Sequence, residues 1–264
     1  MGLLQQNLKR FTNEYMAAGG FITGEAMLKW FNGKGTMVQT DLDKMSFTRM
    51  SAVVMVGVSG SGKTHFAREF VKTHPGFVLC SHDECYGKAM ADLKIVNDDI
   101  VDARMNEYLD KMLKTAKKNR QHVILDGLFI SPVVRAAVIN TLRTYGYQIH
   151  VVYITIETLA NNATEYFFKR AVEFQIYREY CMKHKGTLSP QRMIAIKNDV
   201  VKLYCEEKGM TVEELYEIFA NDPVTLMEME NNMNTAIKEI EDQQVKDQAD
   251  TGAFMLGADY YYEL

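Results

Sequence analysis

Eight consecutive residues, Gly57-Val58-Ser59-Gly60-Ser61-Gly62-Lys63-Thr64, constrain this chain more than any other stretch. They follow the apolar run Ala52-Val53-Val54-Met55-Val56 and precede a helix-compatible segment, Thr64 to Lys72, so the local order is strand, glycine-rich turn, helix. In that setting the glycines let backbone N–H groups turn inward around phosphates, the lysine reaches the outer phosphates, and the threonine hydroxyl suits a magnesium ion. The helix that follows directs its N-terminus at the same anion. The spacing therefore predicts a phosphate-binding loop, with Gly57, Ser59, Gly60, Ser61, Gly62, Lys63 and Thr64 as nucleotide-binding residues and Thr64 as a ligand to Mg2+.

At 264 residues and 47% hydrophobic, the chain is long enough for one core domain with decorated ends. Cys80, Cys85, Cys181 and Cys205 show no paired spacing, and no apolar leader or membrane-length run is present, which points to free thiols, a cytoplasmic setting and no membrane. Cys80, His82 and Cys85 lack a fourth ligand for zinc, and Gln6 stands where a myristoylation signal needs serine or threonine. The net charge of -4 is unevenly spread: +2 for residues 1 to 50, +6 for 51 to 205 and -12 for 206 to 264. A basic middle suits an anionic substrate, although a nucleotide alone also asks for such charge.

Leu3, Leu4, Leu8, Phe11, Tyr15 and Met16 have near-helical spacing, and a second short helix is expected over residues 24 to 31. Phe77 to Cys80 reads as the second strand, and Ser81-His82-Asp83-Glu84 follows it. In an open parallel sheet such a position lines the ligand crevice, so Asp83 or Glu84 is placed to take a proton from an attacking hydroxyl, with helix capping as the alternative. A helix is expected from residue 97 to 118. His122 to Asp126 reads as a third strand whose closing acid, Asp126, is a candidate for magnesium, a substrate hydroxyl, or a turn with Gly127. Ser131-Pro132 opens a further helix, and residues 148 to 155 form a fourth strand.

The helical stretch 157 to 180 holds Lys169, Arg170 and Arg178, and Lys183-His184-Lys185-Gly186-Thr187 follows. Cations around a glycine-containing loop suit a mobile lid that neutralises a transferring phosphoryl group, the alternative being solvated helix faces. Helices are also expected over 190 to 204, over 211 to 219 with a Thr211/Glu214 capping box, and from 222 to about 248. The closing Tyr260-Tyr261-Tyr262 is expected to dock on the core or on a neighbouring subunit.

Taken together, these residues resemble the kinase domain of phage polynucleotide kinase and the wider P-loop kinase group. The likeness spans roughly residues 52 to 204. It rests on Gly60-Ser61-Gly62-Lys63-Thr64, Ala67-Arg68-Glu69-Phe70, Pro75-Gly76-Phe77, the Asp83-Glu84 exit, Asp126, Ser131-Pro132, Arg135, Tyr145-Gly146-Tyr147 and Lys185-Gly186-Thr187. The resemblance implies an α/β three-layer sandwich with a mainly parallel sheet of about four to five strands, a helical lid, and ATP and Mg2+ as donor and metal. It implies that Asp83 activates the acceptor hydroxyl and that Arg170 and Lys185 are lid cations, with Arg178 in a lid insertion as a further nucleotide contact. Tyr86 stands where the family has an arginine after its acidic pair, and the phosphatase motif Asp-x-Asp-x-Thr is absent.

The expected organisation is a helical extension over 1–50, a kinase core over 51–208 with its lid at about 165–190, and an acidic helical extension over 209–264. The expected activity is transfer of the ATP γ-phosphoryl group to a hydroxyl of DNA or RNA, most simply a 5′ end. A hydroxymethylated pyrimidine such as hydroxymethyluracil, a small molecule or nucleotide sugar, and a non-catalytic nucleotide-gated binding module are the other readings. The acceptor, the preference for ATP over GTP and any homo-oligomer formed through the extensions are left open by the sequence.

Overall fold

The computed structural model describes residues 2–20, 26, 29–31, 38–39, 45–47, 49–57, 61–93, 98–154, 164–184, 199–246 and 258–263. Their elements run α1 (Leu3–Ala17), β1 (Val38–Gln39), β2 (Ser51–Val56), α2 (Lys63–Thr73), β3 (Phe77–Ser81), α3 (His82–Asp92), α4 (Asp98–Lys118), β4 (His122–Asp126) and α5 (Pro132–Thr144). The remainder are β5 (Gln148–Tyr153), α6 (Thr164–Lys183), α7 (Val200–Lys208), α8 (Val212–Phe219), α9 (Pro223–Lys246) and β6 (Tyr260–Glu263). The expected helix over 24–31 and the segments 185–198 and 247–257 fall largely or wholly outside the described residues.

The six strands form one sheet in the order β1-β6-β5-β2-β4-β3, and every pairing is parallel. Every residue of β2 is buried, as a central parallel strand covered on both faces requires. Side chains alternate across the sheet. Ala52, Val54, Val123, Leu125, Ile149 and Val151 meet one helical layer, which includes α1, α4 and α5. Val53, Met55, Ile124 and Val152 meet Ala67 and Phe70 of α2 on the other face. Helix, sheet, helix is the three-layer α/β sandwich expected.

The sheet is wider than the four to five strands expected, because two strands join one edge from distant parts of the chain. The tyrosine run forms β6, which inserts between β5 and β1, with Tyr262 buried on the α2 side. Helix α3 is the helix that the capping alternative at the exit of β3 allowed for. It begins directly at the end of β3, where the Ser81 hydroxyl accepts a hydrogen bond from the Glu84 N–H.

Order reverses at β2, whose neighbours β4 and β5 lie on opposite sides, and the crevice outside a parallel sheet's carboxyl ends opens at such a point. Beside this core, α6 packs with α7, α8 and α9 through Val172, Ile176, Cys205 and Leu215 on one side and through Phe167 and Ala236 on another. Thr211 and Glu214 form the expected capping box at the start of α8.

Candidate active site

At the carboxyl end of β2, Gly62 adopts a left-handed conformation with φ 94° and caps α2. That turn costs an L-residue energy and costs glycine little. It makes Lys63 the first residue of α2, where the first-turn N–H groups of a helix point toward an anion. Lys63 is buried at 6% exposure, and its ammonium reaches the Ser61 hydroxyl at 3.5 Å. Burial pushes its pKa down to about 8, against which the carboxylates of Asp126 and Asp83 pull it back up.

Those two carboxylates arrive from neighbouring strands. Ser81 at the end of β3 is in register with Asp126 at the end of β4. The backbones are held close at Gly127, where an added Cβ would lie 2.9 Å from the His82 Cβ and 3.0 Å from the Phe129 ring. Behind this turn the buried Arg135 of α5 donates to the carbonyls of Phe129 at 2.9 Å and Ile130 at 2.7 Å, fixing the loop that follows Asp126. Ser81 serves as the cap of α3, which leaves Asp83 in the first helical turn with its side chain exposed to the cleft.

Asp126 is almost fully buried, and burial raises its pKa. A hydrogen bond from Thr64, the Lys63 ammonium and Arg68 act in the opposite direction, while Asp83 adds to the rise. A hydroxyl and a carboxylate held together form a hard oxygen pair that fits Mg2+, with phosphate and water oxygens to complete an octahedron. These residues line one open cleft of about 900 Å³, with Glu165, Tyr166 and Lys169 of α6 on its far wall.

The structure thus brings Gly62, Lys63, Thr64, Asp83 and Asp126 together. Gly57 lies beneath the loop, so close that an added Cβ would stand 2.8 Å from the Ser61 hydroxyl. Ser59, Gly60 and Lys185 lie outside the described residues. Arg170 and Arg178 are exposed on α6 and do not line the cleft; Arg170 pairs with Glu173 at 2.9 Å instead. The α6 cation at the cleft is Lys169, one residue earlier, held by Glu165. Arg68 and Tyr166 also reach the cleft without having been singled out as site residues. For Arg68 a usable signal existed, since it stands one helical turn beyond Thr64 on the same face.

Residues 53–161 match the AAA domain family. No curated protein matches. Among solved structures, the chain is similar to one in the Pnkp1/Rnl/Hen1 RNA repair complex at 20% identity and a TM-score of 0.37, covering 64% of this chain and 49% of that one. It is similar to a chain of the PezAT chromosomal toxin-antitoxin system of Streptococcus pneumoniae at 15% identity and a TM-score of 0.38, covering 61% and 67%. It is also similar to a gluconokinase from Sinorhizobium meliloti at 13% identity and a TM-score of 0.28, covering 72% and 98%. The chain spans about half the length of the RNA repair chain it matches. No helix among the described residues is long and apolar enough to cross a membrane.

Proposed function

We propose that this chain, whose core is a P-loop kinase-type domain matching the AAA domain family over residues 53–161, is an ATP-dependent phosphotransferase acting on a hydroxyl of a nucleic acid. The observation behind this reading is the meeting of a buried lysine, a magnesium-type oxygen pair and a cleft-facing carboxylate at the carboxyl end of the sheet. Lys63 and the N–H groups at the start of α2 hold the β and γ phosphates, which also lifts the lysine pKa back toward its ordinary value. Thr64 and Asp126 are the residues for Mg2+, which when bound neutralises charge on the phosphates. Asp83 accepts the proton of the incoming hydroxyl as its oxygen bonds to the γ phosphorus; the bond from that phosphorus to the bridging oxygen breaks, and ADP leaves with the electron pair. Lys169 is the α6 cation that lines the cleft, whereas Arg170 and Arg178 do not line it.

The nucleic-acid acceptor draws support from the basic charge of residues 51 to 205 and from cations lining the cleft beyond those a nucleotide needs. Transfer of labelled phosphate from ATP to matched oligonucleotides with a free 5′-hydroxyl, a 5′-phosphate or hydroxymethyluracil tests it, beside a panel of sugars and nucleosides. Transfer is expected to the free 5′-hydroxyl, and Asp83→Asn is expected to lower kcat by about 10²- to 10⁴-fold with ATP affinity unchanged. Near-normal turnover in that variant would falsify the assignment of the base, and transfer confined to the sugars would overturn the nucleic-acid acceptor.

A further inference from the structure

The cleft does not end at the catalytic groups. It runs on along α2 toward Leu79 of β3, and its wall there includes Arg68, Glu69, Val71 and Lys72. Thr64, Arg68 and Lys72 are spaced four residues apart, which on an α-helix places each about 6 Å further from the loop on nearly the same face. That step is comparable with the separation of neighbouring phosphates in a stretched single strand. Arg68 is exposed and lines the same cleft as Asp126. Lys72 is exposed and paired with Glu69 at 2.5 Å, with 68% and 52% of the two side chains in water. So exposed a pair is readily exchanged for a phosphate partner. Since Arg68 and Lys72 are both exposed, binding an anion with them asks little of the core.

We propose that Arg68 and Lys72 form an acceptor track along α2, gripping successive phosphates of a single-stranded polynucleotide whose terminal hydroxyl lies at Asp83. The track rests on the phosphotransferase reading and adds to it a direction of approach and a length requirement. Arg68, one turn from Thr64, takes the phosphate next to the reacting nucleotide. Lys72, a further turn away, takes the next one. Val71 and Leu79 supply apolar surface beside the track for the bases. A neutral sugar acceptor has nothing to place against either cation.

Steady-state transfer to 5′-hydroxyl acceptors of one, two and four nucleotides, each ending in a 3′-phosphate, tests the track in the full chain. Arg68→Gln is expected to raise KM about tenfold for all three, with kcat and the KM for ATP little changed. Lys72→Gln is expected to raise KM for the two longer acceptors only. Arg68→Lys should recover part of the loss, and each charge removed should flatten the dependence of log KM on log salt by about 0.7. An equal rise in the KM for ATP would assign Arg68 to the donor and overturn the track. So would acceptor KM values indifferent to both substitutions, or wild-type turnover of neutral sugars in preference to oligonucleotides; either of these leaves the phosphotransferase reading standing. ATP binding without transfer to any acceptor overturns both.

Discussion

The two ends of the sheet bury ionisable groups in different company, and at neutral pH one group stays charged while the other stays neutral. At the carboxyl end, Lys63 is 6% exposed, and burial lowers its pKa to about 8, so it remains charged at neutral pH with Asp126 and Asp83 beside it. At the amino end, His150 of β5 is fully buried, and burial lowers its pKa to about 4, so it remains neutral. Its surroundings are aromatic: Phe47 at 5.0 Å, Tyr260 stacked at 4.7 Å and Tyr262 at 5.9 Å, within a cluster that continues through Phe70, His74, Phe77 and His122. Asp259 raises the His150 pKa only in part, and that carboxylate already accepts from the Ile149 N–H and the Arg143 guanidinium. A displaced pKa therefore does not by itself mark a working group. What separates the ends is an open cleft and a pair of carboxylates that make a buried cation tolerable at one of them.

The largest expected effect comes from removing the charge at the working end. Lys63→Met should reduce phosphoryl transfer by about 10³-fold, roughly 4 kcal/mol, because a cation aimed at transferring phosphates is lost. Its melting temperature should change little, because the desolvation cost of the ammonium is relieved while the buried Asp126 carboxylate loses its neighbouring cation. In the wild type, nucleotide affinity should weaken as pH climbs through about 8, where the free protein loses the Lys63 proton, and calorimetry in buffers of different ionisation enthalpy should detect proton uptake on binding near that pH. The folded pKa lies below the unfolded 10.5, so the cost to stability is fully present below pH 8 and is relieved between about 8 and 10.5. Activity lost in step with stability would erase the distinction between the two ends.

The amino end should show the reverse pattern. With a folded pKa of about 4 against an ordinary 6.5, His150 contributes stability that is present above pH 6.5 and is lost as pH falls from 6.5 to 4. The loss is about 3 kcal/mol, since the unfolded chain binds the proton first. Denaturant unfolding at pH 7 and pH 4 should show that drop, and His150→Phe, which keeps a ring in the stack, should remove most of it. His122, also lowered by burial, should leave a smaller residue of pH dependence. Phosphoryl transfer at pH 7 should be unchanged in the variant.

Most of the core was legible in the sequence because it is written locally. The strand-loop-helix around Gly62, Lys63 and Thr64, the acids at and just past two strand ends, and the Thr211 capping box each depend on neighbours within a few positions. What escaped depends on rotation or on distant pairing. On α6 the cleft receives Lys169 and not Arg170, because Phe167, Val172 and Ile176 are claimed by other helices, and one residue of offset turns a side chain by about 100°. Arg68 looked like a motif residue and is also a cleft residue, as its place one helical turn beyond Thr64 allowed. The tyrosine run could be recognised as unsuited to solvent. Its partner β5 lies more than a hundred residues away, so pairing at that edge left no local signature.

The smallest effect probes the hydrogen bond inside the quiet end. His150 Nδ1 lies 3.0 Å from the Tyr262 hydroxyl, and Nε2 is buried without a hydrogen-bond partner among the described residues. An orphaned acceptor is cheaper to bury than an orphaned N–H, so the favoured tautomer places the proton on Nδ1, donating to Tyr262, and leaves Nε2 bare. Tyr262→Phe preserves the ring contact and strands that N–H, which should cost about 1 to 2 kcal/mol of unfolding free energy at pH 7. Transfer activity should not change, and the imidazole nitrogen shifts in NMR should report loss of the fixed Nδ1–H tautomer. A tyrosine variant as stable as the wild type would mean that stacking alone fixes His150, and the two ends would then differ in charge but not in hydrogen bonding.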